Sequence, residues 1–227
     1  MIRRFSAFAA VLALSACATE KLEYVVVNPD GAMRPLRHVI VFPFILDEAD
    51  TGKSGKNLEE RGDEATIVIR DQLEPYLFSA LKHLKVASWV DPGVAGEAGI
   101  KAEDAGGSLY AEVEGIISRY AHHSAVDSKS LNQIISLIDP SADGLLLVRI
   151  DQYHCERSNP RPVEFKMRGF LFAKDQHKAI WVAQDSTRRY FSENFKKEQG
   201  AFKCHQDDYF NEGKMKIDLF VQSMPFQ

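Results

Sequence analysis

Apolar runs of strand length alternate along this chain with segments whose apolar residues recur at helical spacing, and this alternation most constrains the fold. Residues 38–44 and residues 145–150 are near-continuous apolar runs, which are typical of strands buried on both faces of a sheet. Between them, apolar residues from Ile67 to Leu84 recur at the helical period. The alternation predicts a single α/β domain in which helices pack against a mixed β-sheet.

The rest of the pattern predicts further elements. Pro75 lies inside the first helical segment and is expected to kink it or split it in two. Turn residues near Asn159 and Asp175 separate three strand-like runs, which predicts a C-terminal three-strand meander. The other predicted elements are a strand at 86–90, a Gly/Ala-rich loop at 93–107, a helix at 109–120, a helix capped by Asp127 or Ser128 and ended by Pro140, and a closing amphipathic helix at 209–224.

The first seventeen residues have the pattern of a secretory signal. Arg3 and Arg4 precede an apolar run of about ten residues, which is too short to cross a bilayer because a spanning helix needs roughly 20. Small residues then lead to Cys17. Residues 1–16 are therefore predicted to be a signal peptide that is removed from the mature protein.

The sequence Leu14-Ser15-Ala16-Cys17 resembles the lipobox of bacterial lipoproteins. The resemblance implies a diacylglyceryl group on Cys17, cleavage in front of it, and acylation of the new amine, with palmitate as a typical chain. Ala18 stands where an aspartate would signal retention in the inner membrane. The resemblance therefore implies a lipid-anchored protein of the outer membrane that faces the periplasm. A plain signal peptide followed by a coincidental cysteine is the alternative.

The chain after the signal is predicted to form a tether and one domain. Residues 17–35 are rich in turn-forming and charged types and are interpreted as the lipidated N-terminus and its tether. Within it, the apolar stretch from Tyr24 to Val27 predicts a short edge strand. A fully extended tether would reach on the order of 60 Å at about 3.3 Å per residue. Residues 36–227 are predicted to be a single α/β domain.

The charge balance excludes one class of partner. The chain has 28 Lys and Arg against 32 Asp and Glu, and loss of Arg3 and Arg4 with the signal changes the formal charge from -4 to -6. A nucleic-acid-binding protein needs a basic face to neutralise phosphates. We therefore expect no nucleic acid as partner.

Two cysteines remain after Cys17. Cys155 and Cys204 form an even pair, and the predicted oxidising compartment favours a disulfide between them. Two unpaired buried thiols are an alternative. Zinc bound by the two cysteines with His154 and His205 is another, but adjacent residues of a strand point to opposite faces, which disfavours it. We predict no metal site.

The acidic and aromatic residues of the second half have both structural and functional interpretations. Asp143, Asp151 and Asp175 lie at predicted strand ends or turns. Carboxylate pairs can cleave glycans, but acidic residues at turns commonly serve the turn itself. We predict no catalytic residue. A set of aromatic residues is expected to form core on one face of the sheet: Phe165, Phe170, Phe172, Trp181, Tyr190 and Phe191.

Element order and short motifs resemble one group of envelope lipoproteins. The motifs are the strand at 39–44, the strand at 142–147, and the strand, acidic turn and strand at 169–181. They are similar to lipoproteins with the fold of the N-terminal domain of the Tol-Pal translocation protein, a group that includes curli-secretion lipoproteins, activators of penicillin-binding proteins and peptidoglycan-assembly lipoproteins. The resemblance implies binding and assembly rather than catalysis.

These observations together predict a non-enzymatic outer-membrane lipoprotein without a cofactor. It would act as an accessory or assembly factor that binds a cell-envelope protein or the peptidoglycan machinery. Whether it forms a homo-oligomer is left open. A metal- or small-ligand-binding periplasmic lipoprotein is the first alternative, and an envelope hydrolase is the second.

Overall fold

The computed structural model describes residues 24–27, 36–46, 65–86, 88–104, 107–155, 163–185, 197–198, 201–202 and 205–226. Its main strands are β1 (Tyr24–Val27), β2 (His38–Val41), β3 (Ile45–Leu46), β4 (Ser88–Val90), β5 (Gly144–Cys155), β6 (Val163–Ala173) and β7 (Trp181–Asp185). The two-residue strands β8 (Lys197–Glu198) and β9 (Ala201–Phe202) pair with each other. The helices are α1 (Glu74–Leu81), α2 (Pro92–Asp104), α3 (Leu109–His123), α4 (Ser128–Ile138) and α5 (Gln206–Ser223).

Seven strands form one mixed sheet, which confirms the predicted α/β fold. The order is β1-β7-β6-β5-β2-β4, with β3 added beside β5. Strand β2 is parallel to both β4 and β5. Strand β6 is antiparallel to both β5 and β7, and β1 is antiparallel to β7. The C-terminal meander is thus present, and the parallel part of the sheet arises from the helical connections that precede it.

Each face of the sheet is covered by its own helices. Residues Val39 and Val41 pack on one side with α1 and α5, which we call the two-helix face. Ile40, between them, packs on the other side with α2, α3 and α4, which we call the three-helix face. A strand that is covered by helices on both faces buries every one of its side chains, so its residues must be apolar throughout. This explains why apolar residues follow one another in β2 and β5 instead of alternating with polar residues.

Pro75 lies next to a change of helix type in the first helical segment. Residues 68–73 form a π-helical stretch, and α1 begins at Glu74 with proline in its first turn. Proline has no N–H to donate to the preceding turn, and the first turn of a helix is where this costs least. The wider π turn is closed by the Glu74 N–H, which donates to the carbonyl of Ile69. The helical run therefore continues without a break from residue 65 to residue 81 and changes from π-helix to α-helix at Glu74.

The predicted loop at 93–107 is wrong, because residues 92–104 form α2. Pro92 occupies the first helical position, and the carboxylate of Asp91 accepts the N–H of Gly93 at 2.8 Å. Ala95 and Ala98 are buried against the three-helix face. Low helix propensity is a weak prior that tertiary packing can override. Small residues here allow the helix to approach the sheet closely.

The prediction of an edge strand at Tyr24–Val27 is confirmed. These residues form β1, which pairs antiparallel with β7 in a register that places Val26 opposite Val182. Part of the predicted tether therefore belongs to the sheet. Residues 47–62 are rich in Asp, Glu, Lys and Gly, which predicts a loop, and Asp63 is a predicted helix cap. Both lie outside the described residues.

The prediction that the aromatic set shares one face is wrong. Phe165 and Trp181 are buried on the two-helix face, whereas Phe170 and Phe172 are buried on the three-helix face. The two pairs differ in parity along the chain, and successive side chains of a strand point to opposite faces. Tyr190 and Phe191 lie outside the described residues.

Candidate functional site

A groove of about 520 Å³ opens at the β1 side of the three-helix face. We call it the edge groove. Its apolar part includes Val26 of β1, Val182 of β7 and Phe170 of β6. Polar and positively charged side chains line the rest. The lining residues are Val26, Val27, Tyr120, Ala121, Ser124, Arg168, Phe170, Lys178, Ala179, Val182 and Gln184.

The groove is open because the helical layer ends above it. Helix α3 stops at Ser124, whose φ of 52° is left-handed and whose N–H caps the carbonyl of Tyr120. A left-handed residue ends a helix because the backbone turns away from its axis. The ring of Tyr120 packs edge-on against Phe170 and Phe172, with centroids 5.8 and 5.4 Å apart. The outer part of β1 extends past this last helical turn.

Valines on β1 form the exposed apolar margin of the groove. Val25, Val26 and Val27 are 41%, 39% and 39% exposed. Successive residues of a strand point to opposite faces, so this strand presents apolar surface on both sides of the sheet edge. An exposed apolar edge strand is a template for association, and contiguous exposed apolar surface commonly marks a binding site.

The cations of the groove differ in their surroundings. Arg168 donates to both carboxylate oxygens of Asp151, at 2.6 Å from Nε and 2.5 Å from Nη2. Asp151 also forms an ion pair with Arg149 at 2.9 Å. It lies where the register between β5 and β6 shifts, and such a bulge re-aims side chains. Lys178 is exposed at the opposite rim, in the connection between β6 and β7.

A second polar cluster is fully buried on the two-helix face. Lys216 of α5 pairs with Asp185 at the end of β7 and with Glu212 one turn earlier, the latter at 3.3 Å. All three side chains are about 1% exposed. Buried ions are retained in proteins when they are paired. This cluster joins α5 to the sheet and is closed to solvent, so its role is structural.

A third cluster lies beyond the end of β2. The carboxylate of Glu74 accepts the backbone N–H of Phe44 at 2.8 Å and pairs with Arg70. Burial raises the pKa of Glu74, and Arg70 opposes this shift. Burial likewise raises the pKa of Tyr110, whose ring packs edge-on against Phe42. These contacts fix the first helical segment and α3 to the parallel strands.

The three acidic residues weighed for acid–base chemistry have structural contacts. Asp143 accepts the backbone N–H groups of Arg37 and His38 at 2.9–3.1 Å. Asp175, with φ of 65°, accepts from the side-chain amide of Asn132 at 2.7 Å. Asp151 is in the ion pairs described above. The structure does not bring the three together, and each serves a turn, a strand end or a bulge.

The predicted cysteine sites fall where the structure is not described. Cys17 and Cys204 lie outside the described residues, and Cys155 is the last residue of β5 with an undescribed side chain. The disulfide between Cys155 and Cys204 thus remains a prediction. In the described part of the chain, no group of three or more His, Cys, Asp or Glu residues is placed to hold a metal ion.

Comparison with known proteins adds no relative. No family model matches the chain, and no curated protein is significantly similar to it. Among the helices of the described residues, none is long and apolar enough to span a bilayer.

Sequence reasoning missed both the edge groove and the buried ions. The groove is formed by the order of the strands and by the end of α3, and local sequence patterns specify neither of these. The ions had a signal, because Lys216 and Glu212 lie on the same helical stripe as Tyr209 and Phe220, all of which are buried. A lysine on the apolar stripe of a helix, with an acid four residues earlier, indicates a buried pair.

Proposed function

We propose that this protein is a non-enzymatic, lipid-anchored accessory factor of the bacterial outer membrane that binds another component of the cell envelope. The proposed anchor is Cys17, which follows the signal pattern described above. The proposed activity is non-covalent association. Anchoring raises the concentration of such a protein near other membrane-bound partners without requiring additional contacts.

The observation that supports this proposal is that the polar side chains fall into two groups, one engaged in contacts that hold the fold and one that lines an open groove. The carboxylates considered for chemistry are engaged in contacts that hold strands and turns, as in the pair between Asp151 and Arg168. The edge groove, in contrast, combines exposed apolar side chains with the exposed Lys178. A concave surface lined mainly by apolar groups with a few polar ones is characteristic of binding sites.

The first test concerns the anchor. Cys17→Ala removes the thioether site, so the variant is expected to lose metabolic labelling with radioactive palmitate and to leave the membrane fraction. Ala18→Ser, adjacent and outside the acylation chemistry, serves as the matched control and should remain labelled. A Cys17→Ala variant that still sediments with membranes would contradict the anchor.

The second test concerns the partner. A photo-crosslinking amino acid is placed at Ile100 or Leu137, which are 63% and 55% exposed on α2 and α4, and at Lys178 in the edge groove. Irradiation of living cells followed by mass spectrometry is expected to capture one dominant envelope protein from at least one of these positions. Self-crosslinks alone from every position would replace the accessory role with homo-oligomeric assembly.

A further inference from the structure

We propose that β1 and the edge groove form a membrane-contact surface, so that the domain rests on the bilayer with this edge down. The proposal rests on the lipid anchor at Cys17 proposed above. It goes beyond that anchor because it assigns a second, non-covalent contact between the folded domain and the lipid headgroups. The opposite edge of the sheet, at β4, then points away from the membrane.

The short stretch of chain between Cys17 and β1 limits how far this edge can lie from the anchor. Tyr24 is paired with Gln184 of β7, so the sheet begins seven residues after Cys17. Seven residues span at most about 25 Å, since extended chain advances roughly 3.3–3.6 Å per residue. This is less than half of the reach of about 60 Å that residues 18–35 would have as a free tether. An anchored Cys17 therefore keeps β1 closer to the bilayer than the tether interpretation implied.

The exposed side chains of β1 are apolar and suit contact with a membrane. Val25, Val26 and Val27 are consecutive and each is about 40% exposed. They lie at the end of the strand order, where β7 is the neighbour on one side. Small apolar side chains at an exposed margin suit partial insertion at the boundary between headgroups and acyl chains. The strand chemistry thus matches the surface that its position brings it to.

The basic side chains of the edge groove suit contact with an anionic membrane surface. Lys178 is exposed at the rim of the groove, and Arg168 lines its floor. A lysine beside apolar surface buries its aliphatic stem and keeps its ammonium at the phosphate level. Basic residues near an anionic membrane surface are attracted to it. Arg168 is paired with Asp151, so in a chain whose formal charge is negative overall the exposed Lys178 orients the domain at this edge.

The edge could instead pair with the β1 edge of a second copy. That arrangement would also cover the valines, but it would not use the cations, because two copies would bring like charges to the same interface. The position of the anchor favours the membrane as the occupant. Self-association is therefore kept as an outcome of the test.

The test uses tryptophan fluorescence of the full lipidated chain. Val26→Trp reports from β1, and Val94→Trp is the matched control because Val94 is 40% exposed on α2, directly after the opposite edge strand. The native Trp89 and Trp181 are buried, and the unsubstituted chain gives their background. Each protein is reconstituted into vesicles of phosphatidylethanolamine and phosphatidylglycerol with brominated acyl chains.

The expected result is a blue-shifted Val26→Trp emission that brominated lipid quenches several-fold more than the Val94→Trp emission. Equal quenching of the two variants in chains that float with the vesicles would overturn the membrane-contact surface and leave the anchor intact. A chain that does not float would overturn both the anchor and this proposal. Emission that depends on protein concentration but not on brominated lipid would assign the edge to a second copy.

A charge variant gives an independent readout. Lys178→Glu in the Val26→Trp background is expected to reduce quenching, and omission of phosphatidylglycerol should reduce it in the same direction. Lys101→Glu, on the exposed side of α2, is the matched control and should leave quenching unchanged. Equal effects of the two charge variants would show that no local contact with headgroups exists and would overturn the proposal.

Discussion

The two faces of the sheet differ in the helices that cover them and in the groups that those helices bury. The two-helix face is closed by α1 and α5 and includes a buried Lys216 with its two carboxylates. The three-helix face has an apolar core under α2, α3 and α4 but remains open beside β1. The first face contains buried charges, whereas the second has an apolar core and a groove beside β1. Binding is therefore expected at the second face, and structural sensitivity at the first.

The largest effect is expected at the buried ions of the two-helix face. Lys216→Met leaves Asp185 and Glu212 without their ammonium, and removal of one partner from a buried ion pair costs about 3–5 kcal/mol. Urea unfolding of the Cys17→Ala chain measures this as a lower free energy of unfolding. Lys101→Met on the exposed side of α2 is the control, with an expected change within about 0.5 kcal/mol.

Simultaneous replacement of all three ions tests the physical reason. Apolar substitutes of similar volume at Lys216, Asp185 and Glu212 are expected to recover most of the loss, because no buried charge is left unpaired. Equal stability of Lys216→Met and the unsubstituted chain would show that the cluster is hydrated rather than buried.

The next effect is steric and also belongs to the two-helix face. A Cβ at Gly169 would lie 2.6 Å from the ring of Trp181 and 3.1 Å from Phe220. Gly169→Ala is therefore expected to cost about 1–3 kcal/mol, as overpacking does, and to shift the emission of Trp181. Trp181 also donates from Nε1 to Ser223 at 3.1 Å, so displacement of the ring breaks a second contact. Unchanged stability and emission would contradict this packing.

A smaller effect is expected where α1 meets α5. The hydroxyl of Tyr76 donates to Asp218 at 2.6 Å, and burial together with this carboxylate raises the pKa of Tyr76 to about 12. The unfolded chain loses this proton near pH 10, so the contribution of the bond is complete below that pH and is lost as the pH rises through 12. Tyr76→Phe should cost about 1 kcal/mol at neutral pH.

The pH dependence separates this bond from simple packing. The difference in free energy of unfolding between the parent chain and Tyr76→Phe is expected to shrink between about pH 10 and pH 12. A difference that stays constant through this range would assign the effect of the substitution to lost packing instead.

The smallest effect is a stabilisation on the three-helix face. Gly96 lies inside α2, and a Cβ there meets no atom within 4 Å. Gly96→Ala is therefore expected to raise the free energy of unfolding by about 0.5–1 kcal/mol, through lower backbone entropy in the unfolded chain. Gly99→Ala is the matched comparison and should gain less, since its Cβ would lie 3.3 Å from the ring of Tyr110. Equal gains would indicate that Tyr110 yields freely.

The helix α2 shows where local patterns stop being informative. Glycine and alanine have no apolar period of their own, so residues 93–107 were predicted to form a loop. The helix depends on the cap at Asp91 and on burial of Ala95 and Ala98. By contrast, α4 has a strong apolar stripe and an Asp127 cap that accepts the N–H groups of Lys129 and Ser130, and its prediction is confirmed.

The sequence by itself determined the class of fold, because burial on both faces requires continuous apolar strands and one-sided burial requires amphipathic helices. It also determined the positions of the meander strands. Only the tertiary structure decided the order of the strands, the separation of Phe165 and Phe170 onto opposite faces, and the opening beside β1. These features depend on contacts between residues far apart in the chain, such as Val26 with Val182, and no local pattern specifies such a pairing.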